Sequence, residues 1–453
     1  MTGAWACVGF LLYSMKTAQL GNDGREQKAD GGDEGDWKMK KSQEAIWEQE
    51  ALSGKMPLRL RTNRISYLIP GGALIDRFLG TEQTDENASQ MWIASVTQSV
   101  LPNAKSSLSR VMRGMEAEMA AEPTLLSLIE AAPEELLGTA FYRQFGATTG
   151  MLLKLLHSRD RLLVQAHPDK RRAKQYFGLS FGKTEAWYII DKQSEETPAY
   201  IWAGFREGVT RENFEALIRR QDTEAILGCL HRFSVEPGDV IFIPAGLPHA
   251  MGADCLAAEI QEPTDITLRA ERFRPDGSEL PEESLHSGIG YEGLLDCFDF
   301  DCRSEAETRR AIFPEPERVH IGTNSEIRRL ITEKTTDCFG LSEVRCGAGE
   351  RVERENAAFS ELLVLSGSGE LCCEAAEETA AAAPASEGLA ANGQPLEDAD
   401  RTALTQQWRI PLKQGDEIFL PHGIRQYAYE SASGLRVLES TPPKQEAETK
   451  TNV

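Results

Sequence analysis

One pattern occurs twice in this 453-residue chain. Residues 235–251 read VEPGDVIFIPAGLPHAM, and residues 412–429 read LKQGDEIFLPHGIRQYAY. Each copy has Gly-Asp, a short apolar run, a proline, and a glycine two residues after the proline. Gly-Asp and Pro-x-Gly are turn chemistry. A short apolar run bounded by turns has the length of a strand rather than a helix. A chain that repeats such a unit is committed to β structure at both places. Two related β units follow, and the length agrees, because it exceeds what one core ordinarily serves. Aligned on Gly-Asp, the first copy has His249 where the second has Gln426, with His422 beside the turn. One unit is therefore expected to carry chemistry that the other lacks.

The rest of the chain sorts around these units. Residues 57–73 predict short strands ending at Pro-Gly-Gly. Residues 104–160 predict helices, from Leu125, Leu126, Leu128, Ile129, Leu136 and Leu137 at helical spacing, with Pro123 and Pro133 near helix starts. Residues 161–206 return to short apolar runs, 211–232 form one or two amphipathic helices, and 234–269 read as strands. A second strand-rich region runs over 326–439. An Ala/Glu-rich stretch, 375–400, interrupts it and predicts a disordered loop at a hairpin tip. Residues 1–55 are expected to be disordered or an extension dispensable for function, with order beginning near Met56 and with Met39 or Met56 as a later start. The apolar stretch 4–13 is too short to span a bilayer and lacks the basic start of a secretion signal. The tail 443–453 is expected to be disordered.

Composition narrows the partners. The net charge of -22 argues against nucleic acid and against a polyanionic membrane surface. An anionic small substrate would need a local basic pocket. Nine cysteines without regular spacing, and without a CxxC pair, predict free thiols and a cytoplasmic protein. Oligomeric state is not readable.

Three segments carry the expected chemistry. In QAHPDK, Gln165 and His167 are two apart and project from one face of a strand. Glu185 heads a strand in FGKTEAWYII. His249 closes the spacing G-x5-P-x-G-x2-H from Gly238, a spacing that resembles the second signature of the cupin barrel. Two imidazoles, a carboxylate and an amide oxygen suit a divalent cation such as zinc. Taken singly, each residue has an ordinary role: a hydrogen-bonded histidine, a solvated glutamate, a helix face for Lys170, Arg171, Arg172 and Lys174. Only convergence in one barrel makes a site.

Together QAHPDK, FGKTEAWYII, GDVIFIPAGLPHAMG and AAEIQEPTDITLRAER resemble type I phosphomannose isomerase, over about residues 56–300. MWIASVTQS, residues 91–99, resembles that family's early Trp-containing strand. The resemblance implies a mainly β fold of two cupin barrels (double-stranded β-helices, or jelly rolls) plus an α-helical insertion. The catalytic cupin domain would be 56–315, including the helical segment 104–160, and the second, degenerate cupin 316–442. The implied activity is metal-dependent interconversion of mannose 6-phosphate and fructose 6-phosphate through an enediol. One Zn2+ per chain would be held by Gln165, His167, Glu185 and His249. Arg269, Glu259 and Lys183 would be catalytic, and Lys170 and Asp265 would bind the phosphorylated hexose. The general base stays open among Glu259, Lys183 and a metal-bound hydroxide. An ion pair with Asp265 is the ordinary role for Arg269. Leu163 departs from the family, many of whose members carry a hydroxyl there. Other readings are a non-catalytic sugar-phosphate-binding cupin, an isomerase of another hexose phosphate, and an iron oxygenase using His167, Glu185 and His249. Gln165 and the Lys183-x-Glu185 context argue against the last.

Overall fold

The structure is a computed structural model, and it describes residues 34–66, 70–82, 87–99, 107–113, 122–194, 198–375 and 407–445. The chain divides into compact units at Met1–Ala45 and Ile46–Val453. The sheets, clusters and sites described below lie in the second unit.

Each Gly-Asp repeat builds the same pair of elements. The first gives strands Val240–Ile243 and His249–Met251, the second Glu417–Leu420 and Ile424–Ser431. Gly238, Gly246 and Gly415 all have positive φ, near 90–99° in the first copy and 86° in the second. At Gly246 this lets the chain reverse and donate its amide to the His167 carbonyl at 2.8 Å.

Two antiparallel sheets surround the first repeat. One has six strands, in the order Arg64–Ile65, Gln90–Ile93, Leu152–Ser158, Cys255–Gln261, Glu185–Lys192, Val240–Ile243. The other has five, in the order Leu268–Arg269, Gln165–Ala166, His249–Met251, Ala199–Phe205, Leu230–Val235. Their facing sides share one apolar cluster, with Trp187, Ile189, Ile241 and Ala257 from the first and Ile201, Phe233 and Met251 from the second. The outer side of the five-stranded sheet is covered by helices Arg211–Arg220, Thr223–Gly228 and Gly290–Asp296. Val164, Ala166, Ala250, Leu268 and Ala270 pack into that helical layer. Strand alternation then turns their neighbours Gln165, His249 and Arg269 to the other face, between the sheets.

The C-terminal residues form a ten-stranded sheet around the 16-residue strand Ser360–Ala375, which pairs with Gln407–Lys413, Glu417–Leu420, Ile424–Ser431 and Leu435–Thr441. Its core includes Val344, Val352, Leu371, Ile418, Tyr429 and Val437. Gln426, the counterpart of His249, is exposed on this sheet. The eight described cysteines are free, and no described helix is long and apolar enough to cross a membrane.

Several expectations need correction. Among the described residues of 104–160, the helices are Leu125–Ala131, Pro133–Leu137 and Thr139–Phe145. Thr124 caps the first of these by accepting from the Ser127 amide, and Pro133 opens the second. Residues 107–113 are not helical, and Leu152–Ser158 is a strand. Leu153 and Leu155 join one core cluster and Leu156 another, so both faces of this strand are buried and the alternation that marks a strand is lost. Order also begins before Met56. Glu34–Leu52 is a helix, and Ala51 is fully buried with Trp47 and Leu52 packed on the main core. The first strand, Leu58–Arg59, pairs with Glu417–Leu420 and so joins the C-terminal sheet rather than the unit that follows it in sequence. Most of the 375–400 stretch and residues 446–453 lie outside the described residues.

Candidate metal centre

Gln165 sits at a crossing point. Its short strand pairs His249 with Gln165 on one side and Arg269 with Gln165 on the other. Glu271 fastens this arrangement. Its fully buried carboxylate accepts from the Val164 amide at 2.6 Å and holds Arg161 through two bonds of 2.8 and 2.6 Å. After His167 the chain turns at Pro168, and Asp169 caps helix Lys170–Phe177 by accepting from the Arg172 amide at 2.6 Å. The Pro168 carbonyl accepts from the Lys183 amide at 3.0 Å, which seats Lys183 and Glu185 against the turn.

His167, Glu185 and His249 converge, with ligand-capable atoms all within 4.8 Å of one another and every side chain buried. Nδ1 of His167 lies 3.0 Å from the Ile266 carbonyl, and Nδ1 of His249 lies 2.8 Å from the Leu247 carbonyl. Only a protonated Nδ1 donates to a carbonyl, so each Nε2 of the neutral rings presents a lone pair. Both Nε2 atoms lie 3.3 Å from a Glu185 oxygen, His167 from Oε2 and His249 from Oε1. Glu185 Oε1 is buried and receives no hydrogen bond. Gln165 Nε2 is 3.3 Å from His249 Nε2, and a flip of its amide would present the oxygen instead. The edge of Trp187 packs on His249 with ring centroids 5.5 Å apart. Lone pairs and a carboxylate turned toward one point are a donor set for a cation, and these residue types fit a borderline divalent metal.

The Lys183 ammonium bridges this set, 2.7 Å from Glu185 Oε2 and 2.8 Å from His167 Nε2. Glu259 Oε1 stands 3.6 Å from it and 3.0 Å from Lys154 Nζ. The charges set the proton affinities. Burial, then the Lys183 charge, push His167 down to about 3. Burial likewise lowers His249. Burial alone would raise Glu185, but the Lys183 ammonium 2.7 Å away outweighs it and holds the carboxyl well below the usual range. Glu259 goes the other way: burial and the nearby Glu185 charge raise it despite the two lysines. Two carboxylates in one site thus have opposite tendencies, which is how acid–base and ligand roles separate.

A narrow cleft opens beside this set, lined by Gln165, Lys183, Glu259, Asp265, Arg269 and Arg274 among others. Arg269 Nη1 donates to the carbonyls of Thr267 at 3.4 Å and Ser284 at 3.3 Å. Asp265 accepts from the Ser99 hydroxyl at 3.4 Å.

No family model matches the chain. It is 25% identical to mannose-6-phosphate isomerase ManA of Bacillus subtilis over 281 residues, 62% of this chain and 71% of that protein. It is 32% identical to mannose-6-phosphate isomerase of Streptococcus mutans over 136 residues, which are 30% of this chain but only 40% of the relative. Its fold matches the crystal structure of mannose 6-phosphate isomerase from Bacillus subtilis with a TM-score of 0.60, at 21% identity, covering 85% of this chain and 99% of that one. A variant of phosphomannose isomerase from Salmonella typhimurium matches with a TM-score of 0.56, at 15% identity, over 86% and 100%. The chain has the fold of these isomerases.

Of the residues singled out from sequence, Gln165, His167, Lys183, Glu185, His249 and Glu259 come together, and Asp265 and Arg269 line the same cleft. Lys170 does not. It lies in the first turn of its helix, half exposed, with Nζ 3.7 Å from Glu262 and outside the cleft lining. Arg171 and Lys174 are exposed, and Arg172 pairs with Asp169 at 2.8 Å. Leu163, noted from sequence as a departure from the resemblance, lines the cleft. Sequence reasoning missed Lys154, Arg161 and Arg274. Lys154 had a signal, being the single cation inside the apolar run LLKLLHS. Arg274 had none, since ERFRPDG reads as an ordinary charged turn.

Proposed function

We propose that this chain is a metal-dependent aldose–ketose isomerase interconverting mannose 6-phosphate and fructose 6-phosphate through an enediol. Zinc is the metal the donor set fits best, held by Gln165, His167, Glu185 and His249. The observation that carries the reading is the pair of imidazoles tied through Nδ1 to backbone carbonyls, with Nε2 turned on a carboxylate at the base of a cleft. When bound, the metal supplies Lewis-acid stabilisation of the sugar oxygens as enediolate charge develops.

The chain's own residues do the rest. Glu259, buried and raised in proton affinity, is the group best suited to take a proton from one sugar carbon and return it to the next. Lys154, 3.0 Å away, holds it in place. Lys183 yields His167 Nε2 to the metal and stays near Glu259 to neutralise charge. Arg269 offers a planar fork to the developing oxyanion. Arg274, which donates to the Ser278 hydroxyl at 2.9 Å and lies near Asp276, would take the phosphate in the role expected of Lys170. The five- and six-stranded sheets form the catalytic cupin barrel and the ten-stranded sheet the degenerate one, with the first strand lent across to it. Free cysteines support a cytoplasmic location.

A coupled assay tests the reading, following fructose 6-phosphate from mannose 6-phosphate with and without chelator. Chelator-sensitive turnover restored by zinc is expected. Arg269→Gln should keep its metal and lose about 10²–10³-fold in kcat. A metal-free binding domain is the second reading, favoured by the ability of Lys183 to bridge the site by itself. Absence of metal and turnover in folded protein would select it.

A further inference from the structure

A second concentration of positive charge lies on the opposite face of the six-stranded sheet, away from the cleft. There a groove enclosing about 1140 Å3 out to its open mouth runs between that sheet and the C-terminal sheet, lined by Arg77, Arg328, Arg345, Arg436, Tyr188 and Gln414 among others. It shares no lining residue with the cleft.

The register explains why this charge is unusual. Strand Gly340–Cys346 lies between Glu326–Ile331 and Leu435–Thr441. Arg328 is opposite Glu343, but Arg345 is directly opposite Arg436. Like charges in that position destabilise a sheet. One carboxylate serves three guanidiniums: Glu343, buried, is 2.7 Å from Arg328, 2.7 Å from Arg436 and 3.7 Å from Arg345. Arg77 pairs with Asp191 at 2.6 Å. Four guanidiniums therefore meet two carboxylates. Other acids nearby are committed elsewhere. Glu326, cross-strand from Arg345, turns to Arg318 at 3.3 Å and His320 at 3.7 Å, and Asp239 accepts from the Glu236 amide at 2.9 Å. The remaining hydrogen bonds of these arginines go to neutral groups: Arg436 donates to the Tyr188 hydroxyl at 3.0 Å, Arg328 to the Gly238 carbonyl at 3.1 Å and Arg77 to the Lys192 carbonyl at 2.8 Å. Arg77 and Arg345 are about half exposed, at 49% and 48%, so the groove's mouth is open. In a chain of net charge -22, such a pocket does not follow from composition.

We propose that this groove binds a small dianion of the phosphate class, held by Arg345, Arg436 and Arg77. Guanidinium forks match phosphate oxygens bidentately, and an anion between Arg345 and Arg436 converts their repulsion into attraction. The ligand would tie the C-terminal sheet to Tyr188 on the same strand as Glu185.

The test is residue-resolved and independent of turnover. Full-length, metal-loaded protein is treated with phenylglyoxal, and modification of each arginine is followed by peptide mass spectrometry. Inorganic phosphate and glycerol 3-phosphate are the probes, against chloride and citrate at matched ionic strength. Several-fold protection of Arg345, Arg436 and Arg77 by either phosphate, but not by chloride or citrate, is expected; the stronger of the two probes identifies the free ion or the ester as ligand. Arg345→Gln should abolish protection at Arg436 and Arg77 while holding or raising the ligand-free thermal midpoint. Protection no greater than chloride gives, equal protection by citrate, or an Arg345→Gln variant that loses stability and keeps protection would each overturn the proposal.

Discussion

At the scale of single residues, the centre depends on where protons sit. Glu185 is the one carboxylate touching both imidazoles, so Glu185→Gln should remove the charge and leave the volume. Metal content measured by inductively coupled plasma mass spectrometry should fall to background while the fold, read by circular dichroism, persists. His157 makes a different point. Its Nδ1 accepts from the Gly72 amide at 2.7 Å, which requires the ring to be neutral, and burial followed by nearby guanidiniums pushes it down to about 4 from 6.5. Between those values the unfolded chain binds a proton that the folded chain refuses. The contribution is therefore complete above pH 6.5 and is lost as pH falls to 4, by up to about 3 kcal/mol. Denaturant melts across that range should show a steeper acid loss in the native sequence than in His157→Ala. The variant should also lose about 1–3 kcal/mol at neutral pH, because the Gly72 amide is left without its acceptor.

At the scale of elements, the site is a matter of how short strands are seated. Gly182 shows the tolerance. A Cβ there would lie 2.8 Å from the Pro168 oxygen, the Asp169 carbonyl carbon and the Lys170 nitrogen, all backbone. Gly182→Ala must separate the His167 turn from the lead into Glu185, and zinc affinity measured by competition with a chromophoric chelator should drop about 10–100-fold. The helix before Met56 is also structural. Trp47 and Leu52 pack on the main core, Ala51 is within it, and the Arg113 guanidinium lies 5.4 Å from the Trp47 ring. A chain beginning at Lys55 should melt at a lower temperature than the full chain, and an unchanged midpoint would remove this helix from the core's account. Elements also show which features the sequence made legible. The Gly-Asp repeats read correctly because turn residues and strand length are local chemistry. Gln165 and His167 could be singled out together because a two-residue spacing on a strand fixes a shared face. Leu152–Ser158 was misread because a strand buried on both sides has no alternation. Lys170 lies outside the cleft lining and reaches Glu262, a contact made 92 residues away and invisible to local pattern.

At the scale of the molecule, the junction between the β units contains carboxyls that ought to be charged. Glu361 and Glu417 are buried on neighbouring strands, and burial raises both well above the ordinary value; Thr149 and Ser440 for Glu361, and the Ala94 amide for Glu417, only partly oppose it. A raised folded value means the contribution is whole below pH 4.5 and declines as pH rises toward it. Glu361→Gln mimics the protonated group at every pH. Its thermal midpoint should equal that of the native sequence near pH 4 and exceed it near pH 8, and a deficit at pH 8 would mean that the carboxylate is ionised in the fold. No local pattern in the sequence marks this pair, because a glutamate on a strand normally faces water.

The pairing of Leu58–Arg59 with Glu417–Leu420 has a consequence for biosynthesis. The Leu58–Arg59 strand leaves the ribosome early, and its partner is made about 360 residues later. At about 5–20 residues per second, the nascent chain spends tens of seconds with that edge uncovered. This pairing can therefore form only once residue 419 has been made, and a message cut short before residue 417 would yield a chain whose Leu58–Arg59 strand has no native place to dock.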